Sequence, residues 1–181
     1  MENDIKLVLI SNDEKSQQLR YKFVTSTTGE KWKELYKNQC ELYNNEPLEQ
    51  GELDDYEYYK KTHPYTRNNE NYIQYFLVVN EEPVTMVVLK KDITDLIEIT
   101  LTTSKRYLRQ GYATKSVELI EELMFSKENI RGLKLIDFFS RGNATSKIAR
   151  KFGFNEIRNG EFIKLNPRYK ENIKRNEGEA K

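Results

Sequence analysis

The order of elements in the chain predicts an α/β fold around one central sheet, and three observations carry the prediction. Ile97, Ile99 and Leu101 alternate with Glu98, Thr100 and Thr102 in the period of a half-buried strand. Val117, Ile120, Leu123 and Met124 then recur at helical spacing within Tyr112 to Phe125, with Glu118, Glu121 and Glu122 turned outward. A second strand-like run, Leu133 to Phe139, precedes a second helical run ending at Phe152, and a strand pair closes the series.

From the beginning, Ile5 to Ile10 is apolar-rich and reads as the opening strand. Ser11 with Glu14 makes a capping box that starts a short helix. From Thr25 to Asn71 the pattern is helical but strongly polar, with Trp32, Leu35, Tyr36, Leu42 and Tyr43 as the buried stripe. Tyr72 to Val79 and Pro83 to Leu89 flank the turn-rich Asn80-Glu81-Glu82-Pro83 and predict a hairpin. Asn155 to Arg158 and Glu161 to Leu165 predict another, turning at Asn159-Gly160. After Tyr169 almost no apolar residue remains, so 166–181 is expected to be a flexible charged tail. No internal repeat is present.

Composition sets the outer limits. A chain of 181 residues suits one domain, here 1–165, with 25–71 as a variable helical segment. Charged residues make up 33%, but 12 Tyr and 8 Phe supply the large apolar side chains that a disordered chain lacks. A net charge of +1 gives no electrostatic footprint for nucleic acid. No apolar run reaches membrane-spanning length and Met1-Glu2-Asn3-Asp4 does not begin a signal peptide. The lone Cys40 suits a reducing compartment, so the expectation is a cytoplasmic protein with no nucleic-acid or membrane partner. One His, one Cys and scattered carboxylates show no metal-ligand spacing, and no metal is expected.

Arg109-Gln110-Gly111-Tyr112-Ala113-Thr114 stands where the strand ending at Thr102 gives way to the helix. A glycine at such a junction lets successive N–H groups converge at the positive end of a helix, which suits a phosphate group. This stretch resembles the GNAT superfamily of acyl-CoA-dependent N-acetyltransferases, whose signature is Arg or Gln, two residues, Gly, one residue, then Gly or Ala. Gly111 and Ala113 match, whereas Leu108 departs from the family's Arg or Gln and Lys105 from its usual Pro. Arg109, next door, could supply the missing charge. A second stretch, Asn143-Ala144-Thr145-Ser146 to Phe152-Gly153-Phe154, resembles the family's last helix and its Gly-Phe ending. It is about one residue shorter than the common form, so either Thr145 or Ser146 takes the hydroxyl position beside the pantetheine arm. Read without the resemblance, the same stretch is a helix capped by Asn143 and ended by Gly153.

The resemblance implies an α/β (α+β) GNAT-like domain with a central mixed, mostly antiparallel sheet flanked by helices. Acetyl-CoA is the implied co-substrate, with Leu101, Thr102, Thr103, Arg109, Gln110, Gly111, Tyr112, Ala113, Thr114, Asn143 and Thr145 in contact with it. Acyl transfer to an amine needs a base, because an amine of pKa about 10 is mostly protonated near neutral pH. Glu98 is the candidate base, with a solvent-facing strand carboxylate as the plainer reading. Ser146 or Thr145 is the candidate donor to the departing sulfur, since Arg150 stands where many members carry an acidic Tyr. Carboxylates and tyrosines interleave from Glu46 to Tyr59, as a site for a cationic amine would require, although a solvated acidic loop has the same pattern. His63 reads as an exposed loop residue. The expected partner is an amine substrate; a homodimer is left open. Two other readings stand beside this one: a cofactor-binding module without turnover, and a protein whose loop takes the phosphate of another nucleotide.

Overall fold

The computed structural model describes residues 3–25, 55–62, 71–137 and 144–170. Among them run seven strands: β1 (Ile5–Leu9), β2 (Tyr72–Val79), β3 (Glu82–Lys91), β4 (Leu96–Thr103), β5 (Gly132–Ile136), β6 (Asn155–Arg158) and β7 (Glu161–Leu165). Four α-helices accompany them: α1 (Glu14–Thr25), α2 (Tyr56–Thr62), α3 (Tyr112–Phe125) and α4 (Ala144–Lys151). The strands form one sheet, mixed as expected, in the order β1-β2-β3-β4-β5-β7-β6. β1 pairs antiparallel with β2, and β7 antiparallel with both β5 and β6, while β4 and β5 run parallel. Trp32, Leu35, Tyr36, Leu42, Tyr43, Cys40, His63 and Asn143 lie outside the described residues.

The chain divides into two compact units, and both β4 and α3 contribute to each. The first comprises residues 1–89 and 100–116. Its core is Ile10, Leu19, Phe23, Phe76 and Val78, where α1 lies against β2 and the rings of Phe23 and Phe76 meet at 5.1 Å. The β2–β3 turn places Asn80 and Glu81 at φ 49° and 68°, the pair of left-handed residues that a two-residue hairpin requires. α1 begins on Asp13 rather than on the expected Ser11–Glu14 box. Asp13 accepts the Ser16 N–H at 2.9 Å and the Ser16 hydroxyl at 2.7 Å, and the Ser11 hydroxyl donates to it as well. Glu14 instead reaches α2, where it accepts from the Tyr56 hydroxyl at 2.7 Å and pairs with Lys60.

The second unit comprises residues 90–99 and 117–181. Leu133 and Leu135 on β5, Ile148 and Ala149 on α4, Phe162 on β7, and Val117, Ile120 and Met124 on α3 are buried. Of the glutamates expected to face outward on α3, Glu121 instead pairs with Lys164 on β7. Asn166, at the head of the expected tail, is buried: its side-chain amide donates to the carbonyls of Lys127 and Ile130. Those two bonds satisfy a loop that would otherwise leave carbonyls without donors.

Candidate active site

The strand-to-helix junction in the first unit is anchored on β3. β4 ends at Thr103, whose hydroxyl lies 3.1 Å from that of the fully buried Thr85 on β3. The Ser104 N–H then donates to the Val84 carbonyl, and a 3₁₀ turn, Lys105–Tyr107, closes with Tyr107 N–H donating to the Ser104 carbonyl at 2.8 Å. Arg109 follows at φ 62° and Gly111 at φ 83°. A left-handed Arg is costly where a Gly is not, so Arg109 stores backbone strain in the loop, a feature that concentrates at ligand sites.

The first bond of α3 runs from the Lys115 N–H to the Gly111 carbonyl at 3.0 Å. Gly111 is therefore the cap, and the N–H groups of Tyr112, Ala113 and Thr114 precede the hydrogen-bond ladder. A Cβ on Gly111 would meet nothing within 4 Å. Between Ser104 and Val117 the sequence has no carboxylate, whereas Arg106 and Arg109 are exposed. N–H groups ahead of the helical ladder, a helix N-terminus, open space at Gly111 and the exposed Arg106 and Arg109 together fit a diphosphate. The Ser104 hydroxyl, fully buried, has no hydrogen-bond partner among the described residues. Leu108, where the family carries Arg or Gln, is 52% exposed and supplies no charge.

In the second unit, Glu98 on β4 faces Lys134 on β5 in register, and the Lys134 ammonium lies 3.3 Å from the Glu98 carboxylate. Ser146 is buried on α4 and its hydroxyl donates to the carboxylate of Asp137, the residue that follows β5. Thr145 is half-buried beside it. Arg150, at the position of the family's acidic Tyr, pairs with Glu156 at 3.2 Å, and its guanidinium sits 5.6 Å from the Phe162 ring centre. Asp137, inside the strand expected over Leu133 to Phe139, instead follows the end of β5 at Ile136, and nothing in the sequence marks it as a partner for Ser146.

Of the acidic, tyrosine-rich stretch, only Asp55 to Tyr59 is described. Tyr56 and Tyr59 pack on Tyr21 of α1, with ring centres at 5.3 and 5.4 Å. Burial, helped by the Glu14 carboxylate, pushes the Tyr56 hydroxyl well above the usual phenol range. These rings already carry cations of the chain itself, Lys60 over Tyr56 and Arg20 over Tyr59. Among the described residues no group of His, Cys, Asp and Glu could hold a metal ion, and no helix is long and apolar enough to cross a membrane.

This fold recurs among N-acetyltransferases. The ribosomal-protein-S18-alanine N-acetyltransferase of Escherichia coli superposes with a TM-score of 0.54 at 13% identity, over 95% of this chain and 99% of that one. A spermidine/spermine N-acetyltransferase of Vibrio cholerae gives 0.58 at 14% identity, over 92% and 97%. The aminoglycoside acetyltransferase AAC(6')-Ib, in complex with coenzyme A, gives 0.57 at 15% identity, over 90% and 95%. No curated protein matches the sequence. Residues 32–154 match the model of the Acetyltransferase (GNAT) family, and the chain belongs to that family.

Proposed function

We propose that the protein transfers an acetyl group from acetyl-CoA to a primary amine through a ternary complex. The observation that carries this reading is Gly111, which opens α3 at φ 83° with free space where a side chain would stand. The N–H groups of Tyr112, Ala113 and Thr114, together with Arg109 and Gln110, hold the diphosphate of the co-substrate. Main-chain donors from Leu101 to Thr103 serve the thioester oxygen, where a donor aimed at developing charge contributes a few kcal/mol. Acetyl-CoA supplies an activated acyl group on a good leaving group. Glu98 takes the amine proton, the nitrogen forms its bond to the carbonyl carbon, and the carbon–sulfur bond breaks to release the thiolate.

Titration calorimetry with acetyl-CoA and coenzyme A tests the binding half. Thiol release across spermidine, an aminoglycoside and a peptide with an N-terminal alanine tests transfer, the panel being taken from the names of the structural relatives. Heat with the co-substrate and thiol release with one class of amine is the expected result; absence of heat with either ligand would overturn the reading. Arg150 favours a second reading. Its guanidinium is engaged with Glu156 and Phe162 where a phenol acid would serve catalysis, as in a module that binds acetyl-CoA without turning it over. Tight binding with silence on every amine would select that alternative.

A further inference from the structure

β1 ends the sheet, and its outer edge carries no strand among the described residues. The Asn80 N–H donates to the Asp4 carbonyl and the Ile10 N–H to the Gln74 carbonyl, each at 2.9 Å, at the two ends of the β1–β2 ladder. Bonded pairs alternate along an antiparallel ladder, so the main-chain groups of Lys6 and Val8 also turn toward β2 and those of Ile5, Leu7 and Leu9 turn outward. The side chains divide with the same period. Val8 packs on the core of the first unit, which places Ile5, Leu7 and Leu9 together on the opposite face, where Leu9 is 49% exposed and the other two are half-buried.

Most of the devices that keep a sheet edge from pairing are missing from β1. Its register with β2 runs from Ile5 to Leu9 without a bulge, and it holds no proline. Lys6, its one charged residue, shares the face of Val8 and is paired with Asp4 at 2.7 Å. β6, at the other end of the strand order, has those devices: it is four exposed residues long, with a bulge between the charged Glu156 and Arg158. A regular apolar edge with unpaired main-chain groups is a template for another strand.

We propose that β1 pairs antiparallel with β1 of a second copy of this chain, about a two-fold axis through Leu7. A second copy suits this strand because its outward groups read alike from either end. Leu7 meets Leu7 of the second copy and Ile5 meets its Leu9, each pair exchanging two hydrogen bonds. The apolar side chains of both copies then lie on one face as cross-strand neighbours, which covers Leu9. Lys6 stands opposite Val8 of the second copy, so no like charges meet. The proposal is independent of what the loop at Gly111 binds.

Sedimentation equilibrium on the full chain tests it, with Leu9→Pro, Leu9→Lys, Ile5→Glu and Ile157→Lys beside wild type. The Leu9 N–H points away from β2, so proline there takes no bond from the β1–β2 ladder while it removes a donor to the second copy. Wild type is expected to be dimeric at about 100 µM. Leu9→Pro and Leu9→Lys are expected to raise the dimer dissociation constant at least tenfold, since a two-fold interface feels each substitution twice, and Ile157→Lys to leave it unchanged. Register has its own readout. Chains carrying Ile5→Glu, mixed with chains carrying Leu9→Lys, set a carboxylate against an ammonium at one pair and keep leucine against isoleucine at the other. The mixture is expected to associate at least fivefold more tightly than either variant alone. A wild type that stays monomeric at about 100 µM would overturn the proposal. So would a dimer that survives both Leu9 variants, one that Ile157→Lys dissolves, or a mixture no tighter than its components. Should Leu9→Pro fail to fold, Leu9→Lys, which changes an exposed side chain and no backbone bond, decides together with the mixed chains.

Discussion

Lys134 stands opposite Glu98 in the parallel β4–β5 ladder; its side chain is 15% exposed, and its ammonium lies 3.3 Å from that carboxylate and 3.7 Å from that of Asp92. The ammonium orients the carboxylate proposed as the base. Gln in place of Glu98 can still accept from Lys134 but cannot take a proton, so the two roles separate cleanly. Glu98→Gln is expected to lower kcat about 10²- to 10⁴-fold while acetyl-CoA affinity stays within twofold. Unchanged kcat with a lowered melting midpoint would reduce Glu98 to a structural partner of Lys134.

Gly111 and Gly160 share a left-handed backbone but differ in what surrounds them, and alanine at each separates two costs. At Gly111 the new Cβ meets no protein atom, so the stability loss comes from φ alone, about 1–2 kcal/mol. At Gly160 the Cβ also meets the Asp137 carbonyl oxygen at 2.6 Å, and the loss is expected to be larger. Chemical denaturation gives both numbers. Binding reverses the order: Gly111→Ala is expected to weaken acetyl-CoA at least tenfold, because the methyl group enters the space proposed for the diphosphate.

These contrasts also mark what was legible in the sequence. α3 runs from Tyr112 to Phe125 as predicted, because an amphipathic period and a glycine cap define a helix locally. The terminal hairpin was equally plain, its turn written in Asn159-Gly160. Partners were not legible. Glu121 reads as an outward residue until β7 brings Lys164 to it, and Lys134 reads as an ordinary strand lysine until the ladder sets it against Glu98. Periodicity reports which face a side chain takes, whereas register across the sheet decides what it meets there. The same limit hid Asp137. The aromatic residues expected to receive an outside cation were predicted by residue type alone, and at Tyr56 and Tyr59 the chain supplies Lys60 and Arg20 from its own helices.

Asp13 gives a prediction in pH. Hydrogen bonds from the Ser11 hydroxyl, then the Ser16 hydroxyl and N–H, hold its carboxyl at about 2, below the ordinary 3.8. Because the folded value lies lower, the cap contributes stability fully above about pH 4, and that contribution is lost as pH falls toward 2. Asp13→Ala is expected to cost about 1 kcal/mol at pH 7, the usual value of an N-cap. Denaturation curves of wild type and variant should converge between pH 4 and pH 2; a constant gap across that range would remove the ionised cap as the cause.

Arg109 offers the sharpest separation of stability from binding. At φ 62° it occupies a conformation that glycine adopts freely, and its exposed guanidinium lies in a stretch without carboxylates. Arg109→Gly removes the strain and the charge together. The strain released, about 1–2 kcal/mol, is partly offset by the greater entropy of an unfolded glycine, leaving a net gain of about 0.5–1 kcal/mol. The lost charge acts in the opposite direction on acetyl-CoA, with an expected five- to tenfold weakening for one charge-assisted contact screened by solvent. Arg109→Lys keeps both the charge and the strain and should stay near wild type in stability. Calorimetry at low and high salt supplies the check: the affinity difference between wild type and Arg109→Gly should shrink as salt rises. A more stable Arg109→Gly protein that binds acetyl-CoA as tightly as wild type would detach the strained backbone from ligand binding altogether.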